Sequence, residues 1–161
     1  MTVHTAFTVP KDRQDVTIHL DKDVTLTGEI FLESFAQDLS AHQKVLAFLE
    51  NDAVFFPIKL SATGNTEFIN KQTAGIVEMA VPGESDANYF SFELMQTIPV
   101  TAILRHGQTI SGELLAEVPK EKARLSDCLN LPHGFLSVKA GDKLFYINKS
   151  ALQKVVYAKK S

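Results

Sequence analysis

Residues 16–31 read VTIHLDKDVTLTGEIF, and residues 100–115, which lie 84 positions later, read VTAILRHGQTISGELL. Six of the sixteen aligned positions are identical, whereas ordinary composition gives about one identity by chance. In both stretches, apolar residues alternate with polar ones on either side of a short polar segment, which is the period-two pattern of a β-hairpin. The pair predicts that one small β-rich unit occurs twice in the chain.

Further matches extend the similarity towards the carboxyl end of each copy. Phe55 aligns with Phe135 at an offset of 80, and FINK at residues 68–71 aligns with YINK at residues 146–149 at an offset of 78. A duplication followed by trimming of surface loops leaves such a shrinking offset, because loops tolerate deletions. The predicted bounds are 16–79 and 100–158 for the two copies, and 1–80 and 81–161 for the two domains.

The rest of each copy predicts a short helix and three strands. Ser40 is a suitable amino-terminal cap for a helix over residues 41–49, and the second copy has a shorter helix over residues 125–130. Gly28 and Gly112 lie inside the second strand of their hairpins, where glycine indicates a bend or a close approach of backbone. The closing strands are predicted at 54–59, 66–70 and 75–79, and again at 134–139, 143–148 and 154–157. The predicted fold class is therefore mainly β, with a short helical insertion in each copy.

This order of elements resembles the small barrels of the Sm-like and SH3-like kind, and the resemblance implies two tandem small barrels of about five strands, each with a short helical insertion. Residues 144–156, LFYINKSALQKVV, look like the last two strands of the Sm-like RNA chaperones of bacteria, and the hairpin that contains Gly112 is similar to the first Sm motif. Residues 124–130, RLSDCLN, also resemble a segment of uncharacterised bacterial proteins to which no activity is attached. The resemblance implies a small bacterial β-barrel protein.

The matched Asn-Lys pairs have two alternative interpretations. The Sm-like resemblance implies that Asn70, Lys71, Asn148 and Lys149 lie at turns that line a pore and contact RNA or another partner. Alternatively, each Asn bonds the backbone of a strand-ending turn and each Lys lies in solvent. The net charge is −3, whereas phosphate binding usually needs a basic surface. The turn interpretation is therefore favoured, and tight RNA binding is not expected.

The charge is shared unevenly along the chain. Residues 1–80 carry a net charge of −5, and residues 81–161 carry +2. Halves of opposite charge could face each other or associate head to tail. Drift of the solvated surface after duplication would leave the same asymmetry.

The sequence contains no recognisable catalytic, metal or cofactor motif. Glu29 and Glu113 are matched carboxylates, but an acid/base pair has to share a pocket, so both are expected to face solvent in separate copies. The five His residues form no His-x-x-x-His pair, and the one Cys excludes a Cys-x-x-Cys site. Cys128 aligns with Phe48 and is predicted to be a small buried residue. We predict no enzymatic activity, no metal site and no cofactor.

Interaction with another protein is the leading functional hypothesis, because small barrels have exposed strand edges that can pair with another chain. A protein partner or self-association is expected, an Sm-like RNA-binding protein is the alternative, and an enzyme of unknown chemistry is the third hypothesis. Residues 1–7 lack the basic start and apolar run that are typical of a signal peptide, and no stretch of the sequence approaches the length of a membrane span, so a cytoplasmic location is expected. The aromatic residues predicted at the interface are Phe55, Phe56, Tyr89, Phe90 and Phe92.

Overall fold

The computed structural model describes residues 11–20, 24–33, 39–83, 95–116 and 124–158, which form ten strands and two α-helices. The mainly β class predicted from sequence is therefore confirmed. The first half has β1 (Lys11–His19), β2 (Thr25–Glu33), α1 (Ala41–Glu50), β3 (Phe55–Leu60), β4 (Thr66–Asn70) and β5 (Ile76–Ala80). The second half has β6 (Thr97–Leu104), β7 (Thr109–Leu115), α2 (Leu125–Leu129), β8 (Phe135–Ala140), β9 (Lys143–Asn148) and β10 (Leu152–Tyr157).

All ten strands belong to one antiparallel sheet in the order β10-β6-β7-β8-β9-β5-β1-β2-β3-β4. In each half the last strand returns to pair with the first: β5 pairs with β1, and β10 pairs with β6. The two halves therefore have the same strand order, β5-β1-β2-β3-β4 and β10-β6-β7-β8-β9. The pairing of β5 with β9 joins these two runs. Within the described residues the sheet is open, and its edges are β4 and β10. Two closed barrels are therefore not seen, and that finer part of the fold stays a prediction.

The register of strand pairing is also the same in the two halves. Val16 lies opposite Gly28 in the first hairpin, as Val100 lies opposite Gly112 in the second. Three other kinds of strand pair correspond in the same way: Glu29–Lys59 with Glu113–Lys139, Phe55–Asn70 with Phe135–Asn148, and Thr17–Glu78 with Thr101–Val156. The corresponding residues differ by the sequence offsets of 84, 80 and 78 that the alignment of the two halves requires.

Both α-helices lie where the sequence places them. Ser40 caps α1: its Oγ accepts a hydrogen bond from the Gln43 backbone N–H, and the Gln43 side chain accepts one from the Ser40 N–H. This reciprocal arrangement satisfies two backbone donors at the start of the helix. Cys128 in α2 is buried, as predicted.

The two halves share their buried core. Leu144 and Tyr146 of β9, together with Phe135 of β8, belong to the cluster of buried side chains that fills the first half. Ile76 of β5 belongs to the cluster of the second half. Since each half contributes apolar side chains to the other, separating them would expose core surface to water.

A glycine in the second strand of each half lets a neighbouring strand approach closely. A Cβ atom on Gly112 would lie 2.5 Å from the carbonyl oxygen of Lys139, and one on Gly28 would lie even closer to that of Lys59. Real Cβ atoms do not approach backbone oxygen at such distances. The packing of β3 on β2, and of β8 on β7, therefore requires glycine at these two positions.

We expect Gly28→Ala and Gly112→Ala each to lower the free energy of unfolding by about 1–3 kcal/mol, because the added methyl group must push the adjacent strand away. Gly134→Ala is the matched control, since its Cβ would meet Glu50 Oε1 at an ordinary 3.6 Å. Urea titrations would measure the three unfolding midpoints. If either strand variant unfolds at the same urea concentration as Gly134→Ala, the close approach is absent in solution.

Candidate functional site

The junction of the two halves is a buried antiparallel strand pair. Val77 of β5 lies opposite Tyr146 of β9, and Met79 lies opposite Leu144. The side chains of Ile76 and Ile147 form a third pair at one end. All six residues belong to the buried core. The junction is therefore closed by apolar packing as well as by the hydrogen bonds of the strand ladder.

Helix α1 of the first half crosses this junction and contacts the second half at both of its ends. Near its start, His42 Nδ1 lies 2.7 Å from the Tyr146 hydroxyl, and both residues are buried. At its end, the Glu50 carboxylate accepts hydrogen bonds from the backbone N–H groups of Gly134 at 2.8 Å and Phe135 at 3.0 Å. Hydrogen bonds to a charged group are stronger than neutral ones. Helix α1 therefore fixes the second half against the first.

Asn70 and Asn148 each begin a one-turn 3₁₀ helix, over Lys71–Thr73 and Lys149–Ala151. In both turns the Asn Oδ1 accepts a hydrogen bond at 3.0 Å from the backbone N–H two residues further on. This is the bonding that the turn interpretation expects. The structure therefore supplies a structural role for both Asn residues.

Lys71 and Lys149 are tied to the protein rather than extended into solvent. Lys71 Nζ donates to the Asn51 carbonyl oxygen at 2.8 Å, and Lys149 Nζ donates to the Leu131 carbonyl oxygen at 2.6 Å. Burial lowers the pKa of both ammonium groups, and the nearby negative charge of Glu50 opposes that shift. The turn interpretation expected both lysines in solvent, but each is partly buried. Lys71 bonds the loop after α1, and Lys149 bonds the loop after α2.

Asn148 makes additional bonds that link the halves. Its Nδ2 donates to the carbonyl oxygens of Lys71 and Ala74, both at 3.2 Å, and its backbone N–H donates to Gly75 O at 2.8 Å. These acceptors lie on the segment that leads into β5. Asn70 ends β4, the last strand of the sheet, and within the described residues its Nδ2 makes no equivalent bond. Asn148 therefore links β9 to the segment before β5, whereas Asn70 lies at the end of an edge strand.

Of the two predicted interface aromatics that the structure describes, one is exposed and the other is buried. Phe55 is 53% exposed, whereas Phe56 is only 3% exposed and packs against Phe48 in the core. Phe56 is therefore unavailable to a partner in this structure. Tyr89, Phe90 and Phe92 lie outside the described residues.

The structure also exposes apolar residues that the sequence pattern did not indicate as part of an interface. Phe68 on the edge strand β4 is 68% exposed, and Tyr157 on the edge strand β10 is 65% exposed. Val54 precedes β3, and Val156 lies beside Tyr157; both are also exposed. No sequence signal indicates this exposure, because the alignment of Phe68 with Tyr146 predicts the same environment for both, whereas only the place of β4 at the edge of the sheet exposes Phe68.

The other candidate residues do not converge on a chemical site. Glu29 and Glu113 lie in different halves, each opposite a lysine of the adjacent strand.

A mainly apolar cavity of about 240 Å³ lies beside the junction, and its polar lining includes Glu50 and Lys149. Both of these side chains already form hydrogen bonds to backbone groups: Glu50 accepts from two N–H groups, and Lys149 donates to a carbonyl oxygen. Among the described residues, no group of His, Cys, Asp and Glu side chains is placed to hold a metal ion. No helix in the described part of the chain is long and apolar enough to cross a membrane.

We expect Glu50→Ala to lower the free energy of unfolding by about 2 kcal/mol or more, because it leaves two backbone N–H groups without their charged acceptor. Asp12→Ala is the control, since it removes a carboxylate that pairs with Lys44 Nζ at 2.7 Å on the surface. Such a surface pair contributes at most about 1 kcal/mol. Urea titration of both variants measures the difference. Equal effects would show that Glu50 does not hold the junction.

Glu78 gives the junction a dependence on pH. Its Oε1 lies 3.0 Å from His19 Nε2, and its Oε2 accepts a hydrogen bond from Lys143 Nζ at 2.8 Å. Burial raises the pKa of Glu78, but the hydrogen bonds and charges of Lys143 and His19 together hold it below its ordinary value of 4.5. A lowered pKa stabilises the fold above the unfolded-state value, and this stabilisation is lost as the pH falls through the folded-state value.

We therefore expect Glu78→Gln to lower the free energy of unfolding at pH 7, with a difference from the natural chain that shrinks as the pH falls below 4.5. Urea titrations at pH 7 and pH 3 test this expectation. Glu113→Gln, at an exposed position of β7, is the control for loss of a carboxylate as such. A difference that stays constant between the two pH values would contradict the role assigned to Glu78.

Comparison of the chain with known proteins finds no matching family model, no matching curated protein and no matching solved structure. The candidate functional residues are therefore those that the geometry itself selects. They are the exposed apolar residues of the two edge strands, Phe68 on β4 and Tyr157 on β10. These strands lie at opposite ends of a sheet whose centre is the β5–β9 junction.

Proposed function

We propose that this chain is a non-enzymatic protein-interaction module, made of two tandem copies of one small Sm-like or SH3-like β unit, which binds its partner by strand pairing along β4 and β10. The duplication is supported by the common strand order and register of the two halves and by their equivalent Asn and Lys turns. The observation that carries the proposed function is the exposure of Phe68 and Tyr157 on the two edges of the sheet. A cytoplasmic location is part of the proposal.

An open edge presents unpaired backbone N–H and C=O groups, and proteins usually protect such edges with charges, Pro residues or very short strands. The protection is weak here. β4 has Glu67 as its one charged residue and exposes Phe68, and β10 has Lys154 as its one charged residue and exposes Tyr157. An added strand would satisfy the backbone groups while it covers the apolar side chains. The edges therefore have the properties of an interface.

The geometry supports RNA binding less well than protein binding. The ammonium groups of Lys71 and Lys149 already donate to backbone carbonyl oxygens, and burial lowers the pKa of each. A phosphate would have to displace these bonds, and the net charge of −3 would oppose its approach. The polar groups of the junction cavity are engaged in the same way, so an enzymatic site is not supported there.

Site-specific photo-crosslinking tests the proposed function. A benzophenone amino acid would replace Phe68 or Tyr157 in the full chain, expressed in cells that naturally produce the protein. We expect both positions to form adducts with protein, because each side chain lies on an edge available to a partner strand. Adducts should resist ribonuclease and should be identified by mass spectrometry.

Val24 is the control position, because it is an exposed apolar residue directly before β2, which is not an edge strand. Adducts at Val24 as abundant as those at Phe68 would indicate nonspecific capture. The absence of protein adducts at both edges would contradict the proposed function. Tight oligonucleotide binding at physiological salt, lost in Lys149→Ala, would replace it with the Sm-like RNA-binding alternative.

A further inference from the structure

We infer that the partner on these edges is a second copy of this chain, bound head to tail, with β10 of one copy paired to β4 of the next. The inference rests on the proposed function and narrows it to one occupant. It starts from the β5–β9 junction, where the chain already pairs a fifth strand of one half with a fourth strand of the other. The two strands left at the edges of the sheet are the remaining fifth strand, β10, and the remaining fourth strand, β4.

The residues at the edges match those at the junction, but they are exposed. Phe68 occupies the position in β4 that Tyr146 occupies in β9, since Phe68 lies opposite Pro57 and Tyr146 lies opposite Ser137. Tyr146 is 0% exposed because β5 and α1 cover it, whereas Phe68 is 68% exposed. The same holds for β10: Tyr157 is 65% exposed, whereas Met79 at the matching position of β5 is 3% exposed. Each edge lacks the strand that buries its counterpart.

The side-chain amide of Asn70, at the end of the edge strand β4, is also positioned to bond a second copy of the chain. Asn148 Nδ2 donates across the junction to the carbonyl oxygens of Lys71 and Ala74. By the offset of 78, the equivalent acceptors for Asn70 are the carbonyl oxygens of Lys149 and Leu152 in the next copy. The Asn70 side chain is already oriented by the bond that its Oδ1 accepts from Gln72 N. Head-to-tail pairing therefore supplies acceptors to Asn70 Nδ2.

The junction register fixes the register between copies. Ile76 pairs with Ile147, Val77 with Tyr146, Glu78 with Phe145, and Met79 with Leu144. Transferred to the edges, the pairs are Lys154–Ile69, Val155–Phe68, Val156–Glu67 and Tyr157–Thr66, with the β10 residue first. Val155 then lies against the exposed Phe68 ring, and no two like charges face each other.

The charge of the two halves favours the same arrangement. Head-to-tail association brings the first half of one copy, where residues 1–80 carry −5, against the second half of the next, where residues 81–161 carry +2. Opposite charges speed association and disfavour contacts between two first halves. Because the two contacting surfaces differ, the assembly is heterologous and forms a closed ring or an open filament according to the rotation at each contact.

Sedimentation velocity of the full chain over a concentration series tests the inference. We expect species larger than a monomer whose population rises with concentration. Phe68→Glu should weaken the association by at least about tenfold, because it removes a buried apolar contact and places a charge on the edge. Val24→Glu makes the same kind of change outside the two edges and should leave the association unchanged.

A pair of opposite changes at one position tests the register. Val156→Glu should weaken the association, since it places a carboxylate opposite Glu67 of the next copy, whereas Val156→Lys should preserve or strengthen it. Both side chains would stay on the exposed edge, so the folded state is retained. Equal effects of the two substitutions would overturn the register inferred from the junction.

Mixing two blocked variants tests the head-to-tail polarity. The Phe68→Glu chain keeps an intact β10 edge, and the Val156→Glu chain keeps an intact β4 edge. At a concentration where the natural chain associates and the weakened contacts do not form, each variant alone should be monomeric, and their equimolar mixture should form a dimer and nothing larger. Dimers formed by either variant alone would show that like edges pair with each other and would overturn the head-to-tail arrangement.

The remaining outcomes separate this inference from the proposed function. A chain that stays monomeric at every concentration overturns the self-assembly. If the crosslinks from Phe68 and Tyr157 then reach a different protein, the interaction module stands with another partner. If the chain is monomeric and neither position forms a protein adduct, both proposals fail.

Discussion

The antiparallel pairing of β5 with β9 determines how the rest of the molecule is arranged. It buries apolar side chains from both halves, and it brings the Tyr146 hydroxyl within 2.7 Å of His42 Nδ1 on α1. It also places Asn148 where its amide can bond the segment that leads into β5. One sheet and a shared core follow from this contact, because neither half buries its full apolar surface alone. The cost of breaking it would include the backbone ladder and the packing together.

The same contact explains why the two ends of the sheet are open. The last strand of the first half, β5, pairs with the fourth strand of the second half, β9. The corresponding strands β10 and β4 then have no partner on their outer sides and form the two edges of the sheet. Phe68 and Tyr157 are exposed for that reason, although both are large and apolar. Edge strands of this kind promote pairing with another chain, and the interaction proposed for this protein uses that property. The lysines at the turns have a different role, since they hold the loops that follow the helices.

The sequence predicted the local features well, because they depend on residues close together in the chain. The hairpins followed from alternation, the start of α1 followed from Ser40, and close packing at Gly28 followed from a glycine within a strand. The pairing of β5 with β9 could not be predicted, since it depends on tertiary contacts between residues far apart in sequence. Phe55 and Phe56 show the same limit: adjacent strand residues point to opposite faces, but only the assembled sheet determines which face is buried.

Amide hydrogen exchange on the full chain, at one dilute and one concentrated condition, tests most directly that β5–β9 is the closed junction and that β4 and β10 are its open equivalents. Amides of a buried strand pair exchange only through large-scale unfolding, whereas unpaired edge amides exchange quickly. We expect slow exchange in β5 and β9 under both conditions, with the outward-facing amides of β4 and β10 becoming protected only in the concentrated sample, since their other amides already bond β3 and β6. Fast exchange in β5 or β9 of the dilute chain, or protection of the outward-facing edge amides that does not change with concentration, would contradict this arrangement.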